Sequence, residues 1–364
     1  MSAPFDWTPY RLANLAYVHG EPVMEAVLRA APEDFQVDEV LGFEPSGEGE
    51  HICLHIRKRN QNTAWIADQL ARIAGVKPFD VSYSGLKDRR AVTTQWFSIY
   101  WAKSELPDFS SLWNEDIELI TQTRNNRKLR KGAHQGNRFV ITLRDVAGDK
   151  SAIEARLRAI GAQGVPNYFG EQRFGIEGAN LPAGEQVLAA RLAGGGRRRK
   201  EDRREGLYLS ALRSALFNRV LSARVLAHNW NRRLPGDVLN LDGRGSFFTP
   251  KPEDTDLDAR LEQLAIHPTG PLYGKGNAVV SEEVAHLEAE LAAEAHEIIQ
   301  GLSAIDMESQ RRALRLVVRD LGHVWQDDTT LQLSFTLTSG AFATAVLREL
   351  ARLKETGLDA LPVE

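Results

Sequence analysis

Alternation of apolar and polar residues dominates the first half of the chain and predicts β-strands. The alternation is clearest at residues 34–43 and 51–58, which a turn rich in Pro, Ser, Gly and Glu separates. Further strands are predicted at residues 93–101, 117–123 and 137–146. Two helices interrupt this series. One begins at the cap-like pair Asn62-Thr63, with Trp65, Ile66, Leu70 and Ile73 on one face, and the other covers residues 151–160.

After Gly164 the pattern changes to helical spacing. The segment 164–175, rich in glycine and aromatic residues, precedes a long predicted helix at 208–229 and another at 283–300. Strand-like patterns return at 312–320 and 331–338, and a last helix is predicted at 341–353. This order predicts an α+β protein in which a helical insertion interrupts a sheet domain.

The composition and the absence of several motifs exclude some classes of protein and of cofactor. The single cysteine, Cys53, excludes an internal disulfide and a CxxC metal site, and we expect a cytoplasmic, reducing compartment. The N-terminal residues lack the pattern of a secretory signal, and no apolar run reaches the ~18 residues of a membrane span. Glycine-rich nucleotide-binding motifs are absent too. His51, Cys53 and His55 share a strand face without an obvious further ligand, so no metal and no cofactor are expected.

Charge is unevenly distributed, although the net charge is only −4. Residues 124–138 contain six basic residues and no acid, residues 197–204 form a second basic run, and residues 281–310 contain eight acids without Lys or Arg. A basic stretch of this kind is typical of a surface that contacts nucleic-acid phosphates. It is equally typical of a solvated face, so the charge pattern alone leaves both alternatives open.

The densest group of chemically capable side chains is residues 83–101, in which Asp88 lies between Lys87 and Arg89. Neighbouring cations favour an ionised carboxylate, which is the form that a nucleophile or base requires. A turn aspartate between two solvated bases has the same pattern. The physical chemistry of the residues therefore does not single out Asp88.

The stretch GLKDRRAVTTQW at residues 85–96 resembles the signature G-x-K-D-[RK]-x-A-x-T-x-Q-W of the TruD family of tRNA pseudouridine synthases. Leu86 and Arg90 depart from some relatives. Further blocks resemble the same family in the same order, and they lie at residues 32–51, 62–63, 127–139, 164–175, 209–218 and 339–350. The resemblance extends from about residue 28 to residue 350.

The resemblance implies a catalytic pseudouridine-synthase domain with a mixed sheet at residues 1–163 and 317–364, interrupted by a mainly helical α/β TRUD domain at 164–316. It implies isomerisation of uridine 13 of tRNA without a cofactor, with Asp88 as the catalytic carboxylate. The other implied site residues are a cation that pairs with Asp88 (Arg29, or Lys87 in the same role), aromatic walls around a flipped base (Phe35, Phe139, Phe342) and an amide that reads uracil (Asn137). Phosphate contacts are expected from Arg127, Lys128, Arg130 and Lys131.

Three other functions compete with this hypothesis. The first is a non-catalytic tRNA-binding protein or RNA chaperone of the same fold. The others are a different tRNA-modifying enzyme, such as a methyltransferase, and a carboxylate-based hydrolase. The sequence does not decide whether Asp88 acts on the sugar, on the base or as a proton acceptor, nor which RNAs are used. A monomer is expected, since no exposed apolar helix face stands out.

Overall fold

The chain divides into two compact units in the computed structural model, which describes residues 5–194, 203–276 and 279–355. The sheet unit comprises residues 22–161, 318–343 and 350–355. The helical unit comprises the described residues of 5–21, 162–317 and 344–349. Assignment of these units as catalytic and inserted domains stays a prediction.

The described secondary structure mixes strands and helices along the whole chain. Its strands are β1 (Met24–Leu28), β2 (Phe35–Val40), β3 (His51–Arg59), β4 (Val81–Tyr83), β5 (Val92–Tyr100), β6 (Ile117–Asn125), β7 (Gly136–Gly148), β8 (Val165–Pro166), β9 (Leu239–Leu241), β10 (Phe247–Phe248), β11 (Ile266–Leu272), β12 (Gln310–Ala313), β13 (Arg315–Leu316), β14 (Arg319–Trp325), β15 (Leu331–Thr338) and β16 (Ala351–Glu355). Its helices are α1 (Thr63–Ala74), α2 (Lys150–Gln163), α3 (Asn180–Ala193), α4 (Arg203–Leu226), α5 (Leu257–Glu262), α6 (Glu282–Glu294), α7 (His296–Ala304) and α8 (Ala343–Leu350). None of the helices in these ranges is long and apolar enough to cross a membrane.

The sheet unit is built on one ten-stranded sheet with the main order β14-β15-β7-β2-β5-β3-β6. Strand β4 extends it beside β5, while β1 pairs with β7 and β16. The β2–β5 and β1–β16 pairs are parallel and the others antiparallel, so the sheet is mixed. The predicted α+β class with a mixed sheet is confirmed.

Helix α1 covers part of one face of this sheet. The Asn62 side chain caps the helix by accepting hydrogen bonds from the next turn, the shortest from the Ala64 amide at 2.7 Å. Ile66 and Leu70 are fully buried against alternate residues of β3 and β5. Trp65, predicted on the same apolar face, is instead 44% exposed. The cap prediction is confirmed, and the placement of Trp65 is wrong because position 65 lies beside the packed stripe.

Register determines which side chains share the α1 face of the sheet. Alternate residues of one strand point to the same face, and paired residues of neighbouring strands do so as well. Glu39 pairs with Asn137 across β2 and β7, and Lys58 pairs with Thr93 across β3 and β5. These polar residues continue rows whose other members are apolar and buried, such as Phe35 in β2. Because Val37 pairs with Thr93, these polar residues occupy neighbouring rows on one face of the sheet.

The helical unit packs α3, α4 and α7 beside a four-stranded sheet of order β10-β9-β11-β12. Its long central helix lies near the predicted 208–229. The helix predicted at 283–300 is wrong in its continuity: α6 ends before Ala295, whose φ of −125° is not helical, and α7 follows.

Two further sequence predictions are wrong in their boundaries. The strand predicted at 312–320 is divided among β12, β13 and β14, because successive segments pair with different strands. The helix predicted to end at residue 353 ends at Leu350, where the chain enters β16 and pairs with β1. Helix α3 and strand β1 were not predicted.

Candidate active site

Asp88 lies in the loop between β4 and β5, close to the start of β5. Buried side chains on neighbouring elements fix this loop. The side-chain amide of Gln95 donates to the Gly85 carbonyl, and the backbone amide of Lys87 donates to the Thr63 hydroxyl at 3.2 Å. The Asp88 side chain is 37% exposed, so its carboxylate is held by a fixed backbone and remains accessible.

Arg29 is the first cation that faces the Asp88 carboxylate. Its Nη2 lies 3.4 Å from Asp88 Oδ1, while only 7% of the Arg29 side chain is exposed. The guanidinium also lies 4.1 Å from the centroid of the Phe35 ring. An arginine buried against an aromatic ring has few alternative positions, so the pair presents Asp88 in a defined orientation. The structure therefore brings together three of the residues named from the sequence.

Lys87 belongs to a buried polar network with Glu39 and Asn137. Its Nζ lies 3.0 Å from Glu39 Oε2 and donates to Asn137 Oδ1 at 2.7 Å. Glu39 Oε1 also accepts from the Trp96 backbone amide at 3.1 Å. Lys87, which was predicted as an alternative partner of Asp88, instead forms an ion pair with Glu39. The ion pair with Asp88 is formed by Arg29.

The contact with Lys87 fixes the orientation of the Asn137 amide. An ammonium group only donates hydrogen bonds, so the Asn137 oxygen faces Lys87. The Asn137 Nδ2 group is then directed elsewhere as a donor. This arrangement selects a carbonyl oxygen, rather than an amino group, as the partner of Asn137.

Lys58 was not named from the sequence, although it lies directly beneath the Asp88 loop. It is fully buried, and its Nζ donates to the Gln61 carbonyl at 2.7 Å and to the Asp88 carbonyl at 3.4 Å. Burial lowers the pKa of Lys58 to about 8, with the Asp88 charge opposing this shift and the Lys87 charge adding to it. Lys58 lies at a position of β3 where the alternating pattern predicts a buried apolar residue, and this could have identified it from the sequence. Glu39 lies at such a position in β2.

The three predicted aromatic residues occupy two environments. Phe35 and Phe139 are 2% and 5% exposed and meet edge to face at 6.2 Å between ring centroids. Phe335 stacks on Phe139 at 5.4 Å. Phe342 is only partly buried, in the loop between β15 and α8. That loop leaves the sheet beside Asn137, because Leu337 pairs with Asn137 across β15 and β7.

The basic loop, defined as residues 126–135 between β6 and β7, carries the predicted phosphate contacts. Its four cations are all exposed, and they are Arg127, Lys128, Arg130 and Lys131. The loop is fixed by buried Leu129 and by the hydrogen bond from the Gly132 amide to the Ser84 carbonyl at 2.7 Å. Ser84 begins the Asp88 loop, so the exposed cations extend from a segment attached to the candidate site.

Arg124 corrects one expectation about the basic run. Its guanidinium donates to four backbone carbonyls, those of Gly49, Trp101, Lys103 and Ser104, at 2.7–3.3 Å. It therefore holds loops together and has little capacity for phosphate. Most of the second run, residues 197–202, lies outside the described residues.

The residues considered for a metal form aromatic contacts. His55 stacks on Trp96 at 4.7 Å between ring centroids, and His51 meets Tyr100 at 5.5 Å. Within residues 5–194, 203–276 and 279–355, no group of three or more His, Cys, Asp and Glu side chains is arranged to hold a metal ion.

The fold and the site define an α+β protein with an accessible carboxylate in a loop of its sheet unit, an arginine paired with that carboxylate and an attached basic loop. The family model for tRNA pseudouridine synthase D (TruD) matches residues 12–193 and 200–350. The chain is 48% identical to tRNA pseudouridine synthase D of Methylococcus capsulatus over 344 residues, which cover 94% of this chain and 96% of that protein. It is 43% identical to the protein of the same name from Proteus mirabilis, with the same coverage of both.

A solved structure resembles the fold. The crystal structure of a candidate tRNA pseudouridine synthase D (TruD) from Methanosarcina mazei superposes with a TM-score of 0.70 at 23% identity, and covers 92% of this chain and 95% of that one. The chain belongs to the TruD family of tRNA pseudouridine synthases. The family resemblance inferred from the sequence is confirmed.

Proposed function

We propose that this protein converts uridine 13 of tRNA to pseudouridine, with Asp88 as the catalytic carboxylate. Family membership supports the class of reaction. The observation that supports the residue is the geometry of Asp88, an accessible carboxylate 3.4 Å from a buried arginine on a loop fixed by buried side chains. A carboxylate held in this way needs little reorganisation when the substrate binds.

The reaction breaks the N1–C1′ bond of uridine, turns the uracil and joins C5 to C1′. The C5 proton leaves and N1 gains a proton, so the conversion is an isomerisation that consumes no co-reactant. Asp88 acts in its ionised form as a nucleophile on the sugar or the base, or as a base that starts glycal formation. Arg29 orients the carboxylate, because its own burial leaves the guanidinium few alternative positions.

The flipped base is read by Asn137 and covered by Phe342. With its oxygen held by Lys87, the Asn137 amide donates to a carbonyl oxygen of uracil. Cytosine has an amino group at C4, where uracil has an oxygen, so a donor directed at that edge favours uracil. Phe342, the most accessible of the three predicted aromatic residues, stacks on the base. Phe35 and Phe139 are buried and pack below the site.

The basic loop contributes affinity that does not depend on base identity. Its four exposed cations match the requirements of a phosphate backbone, and their attachment to the Asp88 loop through Gly132 links phosphate binding to the position of the carboxylate. The proposed partner is therefore tRNA. We propose further that a monomer binds it in the cytoplasm, without a metal or cofactor.

Pseudouridine formation on an unmodified tRNA transcript with uridine at position 13 tests the proposal. Wild type is compared with Asp88→Asn, which removes only the charge, and with Asp68→Asn on the exposed face of α1 as a matched control. We expect product from wild type and from the control, and none from Asp88→Asn, which still binds tRNA. Full activity of Asp88→Asn would refute the assignment of the carboxylate.

A second outcome distinguishes the alternative function. If wild type binds the transcript and forms no pseudouridine at any position, the protein is a tRNA-binding protein of the same fold. Product at a uridine other than 13 would keep the activity and change the target.

A further inference from the structure

Phe79 is the most exposed aromatic residue of the described sheet unit, and it lies in the turn before β4. Its exposed fraction is 67%, whereas Phe35 and Phe139 are buried. An aromatic ring in water gains free energy when another flat apolar surface covers it. Phe79 therefore presents aromatic surface that a molecule outside the chain can contact.

Two lysines lie against Phe79. Lys77 Nζ is 5.7 Å from the centroid of the Phe79 ring, and Lys128 Nζ donates a hydrogen bond to the Phe79 carbonyl at 2.6 Å. Both lysines are exposed, and within the described ranges of the chain neither forms an ion pair with a carboxylate. An ammonium group has three donors, and Lys128 uses one of them on Phe79. Both cations therefore lie beside one aromatic residue and have donors left for an anion.

The turn that carries Phe79 is connected to the candidate active site in two ways. The turn is closed by a hydrogen bond from the Asp80 amide to the Lys77 carbonyl at 2.9 Å. It leads into β4, which spans three residues, or about 10 Å, and ends where the Asp88 loop begins. Lys128 belongs to the basic loop, so the turn also contacts the segment proposed to bind phosphates.

A second exposed aromatic residue lies in the neighbourhood of Lys128. Burial lowers the pKa of His51 and the Lys128 charge lowers it further, so the ammonium group is near enough to act on the imidazole. His51 pairs with Tyr100 across β3 and β5, and the centroids of their rings are 5.5 Å apart. Tyr100 is 44% exposed. This part of the surface combines cations with exposed aromatic rings, which is typical of proteins that bind single-stranded nucleic acid.

We propose that Phe79, Lys77 and Lys128 form a stacking site for an unpaired nucleotide of the RNA, with its base on the Phe79 ring and phosphate oxygens on the two ammonium groups. Every nucleobase has an aromatic face, so this contact requires no particular base. The identity of the ligand rests on the proposed function, in which a uridine is flipped. Flipping unstacks the neighbours of that uridine, and the Phe79 ring gives one of them a new stacking partner.

The affinity for tRNA and its dependence on salt test the site. Stacking involves no charge, so Phe79→Leu should weaken binding roughly five- to thirtyfold without changing the slope of log Kd against log salt concentration. Lys77→Gln should reduce the magnitude of that slope by about one. Phe79→Trp keeps an aromatic face and should bind as wild type does. Phe247→Leu, at an exposed phenylalanine of the helical unit, is the matched control and should also bind as wild type does.

The Phe79→Trp variant also reports on stacking directly. A base stacked on the introduced side chain should quench its fluorescence when tRNA binds, and the signal of wild type, which has seven tryptophans, is subtracted. No additional quenching, or a salt slope that falls in Phe79→Leu, would refute stacking as the contribution of the ring.

The outcomes separate this site from the proposed function. If a folded Phe79→Leu protein binds tRNA as tightly as wild type, the site is overturned, even if wild type forms pseudouridine. Weaker binding with an unchanged slope, together with no pseudouridine from wild type, would support the site and refute the proposed activity. If wild type self-associates in sedimentation experiments and Phe79→Leu does not, while their tRNA affinities agree, the ring packs against a second copy of the chain and the assignment to RNA is wrong.

Discussion

Replacing Lys58 with methionine removes a buried charge beneath the Asp88 loop. The Lys58 amine is fully buried, and its pKa falls from 10.5 to about 8, mainly because burial disfavours the ammonium form. A lysine with a lowered pKa binds more protons in the unfolded chain than in the folded one at pH values between 8 and 10.5. The free energy of unfolding therefore carries a penalty at neutral pH, and the penalty is relieved as the pH rises through 8.

The size of this effect follows from the two pKa values. With 10.5 for the unfolded chain and about 8 for the folded chain, the Lys58 contribution to wild-type stability rises by about 2 kcal/mol between about pH 7 and pH 9.5. Lys58→Met lacks this contribution, so the stability of wild type relative to the variant should rise by about 2 kcal/mol over that range. The change with pH is independent of how methionine packs, because the packing difference is the same at both pH values.

Urea denaturation of both proteins at about pH 7 and pH 9.5 measures the difference. Lys103→Met, at an exposed position, controls for the loss of one lysine and should show no such change. Pseudouridine formation by Lys58→Met should fall, because the Asp88 carbonyl loses its donor. A stability difference that stays constant between the two pH values would refute the argument that Lys58 is a desolvated cation in the folded protein.

Two further predictions concern the buried ion pair and the basic loop. Glu39→Gln leaves the buried Lys87 ammonium without its carboxylate and should lower the free energy of unfolding by about 3–5 kcal/mol. Glu118→Gln is the control, and it should change stability little, because Glu118 lies 4.0 Å from Arg57 in an exposed pair. Equal denaturation midpoints for the two variants would contradict the role of Glu39. Replacing Lys128, Arg130 and Lys131 together with glutamine should weaken tRNA binding and lower its salt slope by up to about three, and an unchanged slope would place the RNA surface elsewhere.

Where one local pattern determines an element, the sequence predicted the element well. The strand predicted at 331–338 is identical to β15, because alternation over eight residues determines both its type and its ends. The β16 strand was missed because it depends on a distant partner. Residues 351–355 form a strand only because β1 lies beside them, and a helical pattern in the preceding residues extends naturally into this segment.

The candidate site shows the same division. The family resemblance named Asp88, Arg29 and Phe35, and the structure places Arg29 in contact with both of the others. Glu39 and Lys58 were missed, although each interrupts an apolar strand row with a charge. Such a residue indicates a buried polar network, but its partners come from other strands and loops. The sequence could therefore show that something polar was buried there, and could not show what it contacts.

The cations around Asp88 differ in what they contribute. Lys87 forms an ion pair with Glu39 and donates a hydrogen bond to Asn137. Arg29 contacts the carboxylate directly, and Lys58 holds its backbone. A fully buried Lys58 that donates to backbone carbonyls is costly in the folded state, and such costs accumulate at functional sites, where selection for activity opposes selection for stability. A Lys58→Met protein that is more stable at neutral pH and less active would show that the two demands conflict at this residue.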